Sequence, residues 1–227
     1  VLDKIRKSHV MSYDFCPIQF KIKYIDGVKT PETQNMLIGT RVHKLYDDYI
    51  ISGLSPEEAL SLLPDKYIDI EGEMFEWFIK QEEERKSVEY CGIFGTELQL
   101  DAPVLGFTGT IDRIDWIDEN HNEVRLVEYK TGLMKDVTVR QELWFYKMLF
   151  EECYPDNTVT EFRVYYPRHK EIKTWNVKDT KHARSALLKQ IDKLRDSIEN
   201  NTYQYKCSSQ KFIRCGLCNM FLDDEYE

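Results

Sequence analysis

The residues best placed to do chemistry lie in one stretch, GFTGTIDRIDWIDENHNEVRLVEYKTG, which carries Asp112, Glu128 and Lys130. Apolar and polar residues alternate with period two on either side of the polar segment DENHN, the pattern of two strands joined by a turn. Centring the turn on Asn120 sets Ile114 opposite Leu126 and Trp116 opposite Val124 on one face, and Asp115 opposite Arg125 on the other. Each pairing is favourable, so the register is well specified. It also sets Asp112 opposite Glu128. Lys130 lies two residues further along the same face, about 7 Å away. Two carboxylates facing each other on the apolar side of a sheet repel, and burial raises the cost. A divalent cation removes the conflict. Hard cations such as Mg²⁺ bind through one or two carboxylates plus substrate phosphate. Lys130 would then face both metal and phosphate, where an ammonium can steady a water nucleophile or developing negative charge.

A second group of reactive side chains is cysteine. Cys207, Cys215 and Cys218 crowd near one end of the chain and Cys16 lies near the other, while Cys91 and Cys153 are isolated and read as buried small hydrophobes. Four thiolates suffice for an iron–sulfur cluster or a structural zinc, with reduced, metal-free thiols as the alternative.

The elements that must position these groups follow from periodicity. Residues 12–26 read as a helix capped by Ser12, residues 32–52 as a second helix, SPEEALSLL as a short helix capped by Ser55, and residues 71–89 as an acidic amphipathic helix. GTELQLDAP, GFTGTIDRIDWI and EVRLVEYKT read as three antiparallel strands, VRQELWFYKMLFEEC as a helix, TEFRVYYP and EIKTWNV as two further strands, and residues 178–200 as a basic helix. That order predicts a mixed α/β fold with a helical N-terminal half. A single domain over 1–227 is expected. It comprises a helical part (1–93), a catalytic sheet core (94–177), and a basic helix with the cysteine-rich end (178–227) packing back on the first helix.

Composition narrows the function classes. With 227 residues, 42% hydrophobic, 31% charged and few Gly or Pro, the chain is neither disordered nor low-complexity. No apolar run approaches the length of a membrane span, and the first residues carry no apolar signal core, so a cytoplasmic protein is expected. The net charge of −9 argues against a general nucleic-acid coat protein. Between Pro155 and Cys215, however, 13 basic residues face 7 acidic ones, enough for a local path along an anionic polymer. Affinity for such a polymer is expected to be weak and salt-sensitive.

Asp112 followed by Glu128-Tyr129-Lys130 on the next strand resembles the PD-(D/E)xK nuclease signature. GTRVH holds Gly39 and His43 in a G-x-x-x-H arrangement similar to the RecB-type nucleases, with Gly39 one helical turn before His43 on the same face. GTELQL places Glu97 on the first strand, where that family commonly has an acidic residue. VEYKTG resembles the third motif, ELWFYKML the Q-L-x-x-Y helix motif, and SYDFCP the N-terminal S-x-x-x-C-P. The resemblance spans about Ser12 to Cys218 and best fits the stand-alone branch, the CRISPR-associated Cas-four exonucleases and their viral relatives.

The resemblance implies a restriction-endonuclease-like core, a mixed central sheet flanked by helices. It implies Mg²⁺- or Mn²⁺-dependent hydrolysis of DNA, mainly of single strands or single-stranded ends, by an exonuclease. His43, Asp112, Glu128 and the Tyr129 carbonyl would be metal ligands, Lys130 the catalytic lysine and Glu97 an outer ligand. Gln141 and Tyr146 would contact DNA, or Tyr146 would buttress the site. The family Gln falls on Glu142 here, with Gln141 one position earlier. It further implies a [4Fe–4S] cluster on Cys16, Cys207, Cys215 and Cys218, although the family's last cysteine position falls on Asp224. A CRISPR-adaptation or recombination protein is the implied partner. A non-catalytic DNA-binding adaptor, or an endonuclease working in a complex, is the rival reading.

Overall fold

The computed structural model describes residues 2–29, 31–61, 69–90, 92–178 and 181–204. Its elements run in the order α1 (Lys7–Phe15), α2 (Pro17–Phe20), a π-helical turn (Lys21–Ile25), α3 (Gln34–Ser52), α4 (Pro56–Ser61), α5 (Asp69–Val88), β1 (Ile93–Ala102), β2 (Phe107–Trp116), β3 (Glu123–Tyr129), α6 (Asp136–Cys153), β4 (Thr158–Tyr166), a 3₁₀ turn (Pro167–His169), β5 (Glu171–Asn176) and α7 (Lys181–Glu199). This is the expected mixed α/β arrangement. No described helix is long and apolar enough to cross a membrane. The chain forms two compact units, one of residues 1–31, 103–108 and 180–227, the other of residues 32–102 and 109–179.

In the first unit the chain start departs from the expected single helix. Helix α1 begins at Lys7 rather than Ser12, with the Arg6 backbone N–H donating to His9 Nδ1 at 3.3 Å. It stops at Cys16, whose backbone is extended (φ −160°, ψ 114°). Pro17 is the reason. A residue before proline is pushed out of the helical region, while proline itself suits the first position of the next helix. Cys16 is thereby buried at the break. Phe20 is fully buried among the rings of His9, Tyr13, Tyr24 and Tyr203. Helix α7 packs on α1, where Tyr13 Oη lies 2.6 Å from Ser197 Oγ and donates to the Lys193 carbonyl at 3.1 Å. Cys207, Cys215, Cys218 and Asp224, and also Cys91, lie outside the described residues. Cys153, the other isolated cysteine, is half-buried rather than buried, with its thiol donating to the Asp101 carbonyl at 3.4 Å.

The second unit is built on the five-stranded sheet, in the order β1-β2-β3-β4-β5. Strands β2 and β3 are antiparallel in the expected register, with Ile114 opposite Leu126, Asp115 opposite Arg125 and Trp116 opposite Val124. Helix α6 then carries the chain across so that β4 runs parallel to β3, as a crossover helix allows, and β5 returns antiparallel. The sheet is therefore mixed. Helices α3 and α5 cover one side through a core of Val42, Tyr46, Phe75, Phe78, Val127, Tyr129 and Tyr165. Helix α6, with Leu143, Phe145, Leu149 and Phe150 buried, packs against β1, β3 and β4.

The side under α3 and α5 is also charged. Arg113 and Asp115, both fully buried on β2, are bonded to each other at 2.5 Å, and Arg113 reaches Glu82 of α5 at 2.9 Å. Glu82 is bonded by Arg85 at 2.8 Å and by Tyr165 Oη at 2.7 Å. Further out, Glu89 binds Arg125 at 2.8 Å and Arg163 at 2.9 Å. Buried charges persist only when paired in this way. The network fixes α5 to β2, β3 and β4. Its reach extends toward the site, since the Arg113 charge bears on the buried Tyr129 phenol, whose pKa burial raises well above its ordinary value.

Candidate active site

Four elements of the second unit converge at one end of the sheet. Helix α3 supplies His43. Its start is set by Thr33, whose side chain accepts from the Met36 N–H at 3.3 Å, and its end by Gly53 in the left-handed region (φ 64°). Gly39 lets this helix approach the segment after β3. A Cβ built there would stand 3.2 Å from Thr131 Oγ1, tighter than ordinary contact. One turn later His43 Nε2 lies 3.0 Å from the Tyr129 carbonyl, and its Nδ1 lies 3.6 Å from Asp112 Oδ1.

The paired ladder of β2 and β3 ends at Arg113 opposite Val127. Asp112 and Glu128 are the next residues on their strands. Asp112 turns its other oxygen to the backbone, where Oδ2 accepts from the Tyr129 N–H at 2.8 Å. Tyr129 is thus held at three points beside the site. Its N–H is on Asp112, its carbonyl is on His43, and its ring packs among Tyr46, Phe78 and Tyr165.

Glu97 enters from β1. Its backbone has φ 44°, a left-handed conformation that is uncommon for a non-glycine residue. Such conformations cluster where a side chain must be aimed at a fixed point. Burial raises the Glu97 carboxyl pKa, and the charges of Asp112, Asp47 and Glu128 raise it further against the opposing effect of His43. The carboxylates here repel one another.

His43, Glu97 and Asp112 each offer a ligand atom, and these atoms lie within 4.8 Å of one another. One imidazole and two carboxylates form a donor set that suits a hard or borderline divalent cation. Of these, His43 and Glu97 open on a cleft of about 500 Å³ lined also by Gly39, Thr40, Lys44 and Asp47.

Lys130 sits at the opposite side of Glu128. Its Nζ donates to Glu128 Oε1 at 2.5 Å and to Glu142 Oε2 at 2.8 Å. Glu128 is buried. Helix α6 therefore turns Glu142 inward and leaves Gln141 exposed. Tyr146, one turn beyond Glu142, is buried, and its ring would stand 3.1 Å from a Cβ at Gly109 of β2. The structure thus gathers His43, Glu97, Asp112, Glu128, Tyr129, Lys130 and Tyr146 around one end of the sheet, with Gln141 turned outward. Sequence reasoning missed Asp47, although its spacing of four from His43 placed it on the same helix face, and missed Glu142 as a partner of Lys130.

A mixed sheet with helices on both faces, carrying a carboxylate-rich cleft beside a lysine, defines a class of metal-dependent nucleases. Residues 7–220 match the model of the PD-(D/E)XK nuclease superfamily, and the chain belongs to it. Members of that superfamily use divalent metals. Among solved structures, the fold is similar to that of a protein from Eubacterium rectale provisionally named an exonuclease. The TM-score is 0.56 with 10% identity over 94% of each chain. No curated protein matches the sequence.

Proposed function

We propose that the protein is a divalent-metal-dependent deoxyribonuclease of the RecB-type branch, acting as an exonuclease on single-stranded DNA. The observation that carries this reading is the conjunction of Lys130, bonded to Glu128, with the His43–Glu97–Asp112 donor set on the neighbouring strands and helix. An adaptor would need a DNA-binding surface but not a lysine held beside a cation site.

When Mg²⁺ or Mn²⁺ is bound, it supplies Lewis-acid stabilisation of the phosphate and lowers the pKa of a bound water. His43, Asp112, Glu128 and the Tyr129 carbonyl would hold the ion, with Glu97 as an outer ligand. Asp112 also fixes the Tyr129 backbone, so the carbonyl keeps its aim. Lys130 is oriented by Glu128 and Glu142, and donates to the attacking water or to a non-bridging phosphate oxygen. Tyr146 buttresses β2 beside Asp112, since its ring is packed rather than presented. Gln141 is an exposed polar residue of the same helix and the candidate contact to DNA.

Exonuclease mode, single-strand preference and a CRISPR-adaptation or recombination partner are supported by the motif resemblance. So is a [4Fe–4S] cluster on Cys16, Cys207, Cys215 and Cys218. Among the described residues only Cys16 of that set is seen.

The test uses anaerobically purified protein and end-labelled single-stranded DNA, comparing wild type with Lys130→Ala in Mn²⁺, Mg²⁺ and EDTA. Cleavage in Mn²⁺ or Mg²⁺ that stops in EDTA and falls about 100-fold or more in the variant is expected. Equal cutting by the variant, or none by wild type, moves the adaptor reading to first place. Iron content and visible absorbance of the same preparation decide the cluster.

A further inference from the structure

The cleft contains one acidic side chain that the proposed mechanism leaves unused. Asp47 follows His43 by four residues on α3, so the two face the same side of the helix. Both line the cleft with Glu97. Asp47 Oδ1 is buried and has no hydrogen-bond partner among the described residues. Among those residues Asp47 also forms no ion pair. The ammonium nearest in sequence, that of Lys44, is turned to Asp48 at 3.0 Å.

An unsatisfied buried carboxylate oxygen is costly, commonly about 1–3 kcal/mol, and more when charged. Here the cost is compounded, because the Asp47 charge is felt by Glu97 and adds to the repulsion from Asp112 and Glu128. A cation facing the cleft would remove both penalties. Asp47 stands outside the set of three whose ligand atoms lie within 4.8 Å of one another. A water molecule of a hydrated ion is therefore the fitting partner. Mg²⁺ and Mn²⁺ keep such waters when held by few carboxylates.

We propose that Asp47 is a further cation-binding residue of this cleft, accepting a hydrogen bond through its buried Oδ1 from water on a metal bound beside His43, Glu97 and Asp112. The inference rests on the reading of the cleft as a cation site. It adds a residue on the α3 side that tunes the affinity for metal, and it makes α3 responsible for two of the groups that face the ion.

The experiment is a Mn²⁺ titration of the full chain without DNA, by calorimetry and by the electron paramagnetic resonance of free Mn²⁺. It compares wild type with Asp47→Asn, Asp112→Asn and, as a control, Asp48→Asn. Asp47→Asn is expected to weaken Mn²⁺ binding about tenfold or more, in the range seen when groups supporting metal ligands are removed. The Mn²⁺-induced rise in unfolding temperature should shrink in parallel. In EDTA the same variant should be at least as stable as wild type, because the amide removes a charge that opposes Glu97. Asp48→Asn should match wild type throughout. An unchanged Mn²⁺ affinity in Asp47→Asn, with affinity lost in Asp112→Asn, overturns the role of Asp47 and leaves the cation site standing. Unchanged affinity in Asp112→Asn, or no binding by wild type, overturns the cation reading and this inference with it.

Discussion

Lys130 is gripped by two carboxylates, one on its own strand and one on α6. The second is unusual for the resembling nucleases, which place an uncharged Gln there. Glu142 holds the ammonium by charge as well as by hydrogen bonding, so Lys130 is kept in one pose. Converting Glu142 to Gln should leave the fold intact and retain one hydrogen-bond acceptor. The pair is largely shielded from solvent, with side chains 26% and 14% exposed. Loss of the charge component is expected to cost about 1 kcal/mol of positioning, roughly fivefold in turnover. The substrate concentration at half-maximal rate should be little changed, because the lysine is not displaced from the cleft. Steady-state kinetics on single-stranded DNA separate the two. A variant with turnover intact and binding weakened would assign Glu142 to DNA contact instead.

Helix α3 is positioned by a small residue at one point and a capping side chain at another. Gly39 matters because Thr131 Oγ1 lies where its Cβ would go. The neighbour is a rotatable hydroxyl, so Gly39→Ala should be tolerated with a slight shift. Gly39→Val should push the helix away from the segment after β3 and lengthen the distance from His43 to the Tyr129 carbonyl. Mn²⁺ affinity is expected to fall at least tenfold in the valine variant and by less than threefold in the alanine variant, measured by the same titration as for Asp47. The elements themselves were readable because their patterns are strong. The β2–β3 register followed from three favourable cross-strand pairs, and α3, α5, α6 and α7 from sustained helical periodicity. The chain start was misread because apolar spacing ran through Cys16-Pro17, and the backbone restriction before Pro17 outweighed the periodicity. The site was legible where its residues share a hairpin, as Asp112, Glu128 and Lys130 do. It was not legible for Asp47 and Glu142, whose roles depend on how two helices dock against that hairpin.

Taken as a whole, the sheet is bound to α5 by buried charge, and that makes the fold sensitive to acid. Burial alone would raise the Glu82 carboxyl pKa, but Arg113 and Arg85 outweigh it and hold it below its ordinary value of 4.5. Burial is likewise outweighed at Glu89 by Arg163 and Arg125. A carboxyl with a lowered folded pKa adds stability that is fully present above its unfolded value, about 4.3, and is lost as pH falls through the folded value. The urea midpoint is therefore expected to be insensitive to these groups above about pH 5 and to drop steeply below pH 4. Arg113→Met leaves Glu82 and Asp115 short of a partner in the core, and should cost about 3–5 kcal/mol at neutral pH. It should also flatten the acid limb, because Glu82 then gains less from being ionised. An unchanged acid limb in that variant would show that other carboxylates govern it.

The parallel pairing of β3 with β4 has a consequence for the order in which the protein can be made. Every residue assigned to the cleft and its lysine lies between positions 39 and 146, yet β3 is flanked on its far side by β4, which begins at Thr158. The Lys130 N–H is bonded to the Tyr165 carbonyl, and Glu128 lies beside Val164. A nascent chain that has exposed all its reactive side chains still lacks the strand against which their hairpin is held. Since strands that pair across a long crossover form late, the capacity to cut should arise only once residue 166 is free of the ribosome. A growing chain is then expected to be inert toward DNA until β4 has emerged, which assays of stalled ribosome–nascent-chain complexes of increasing length would check.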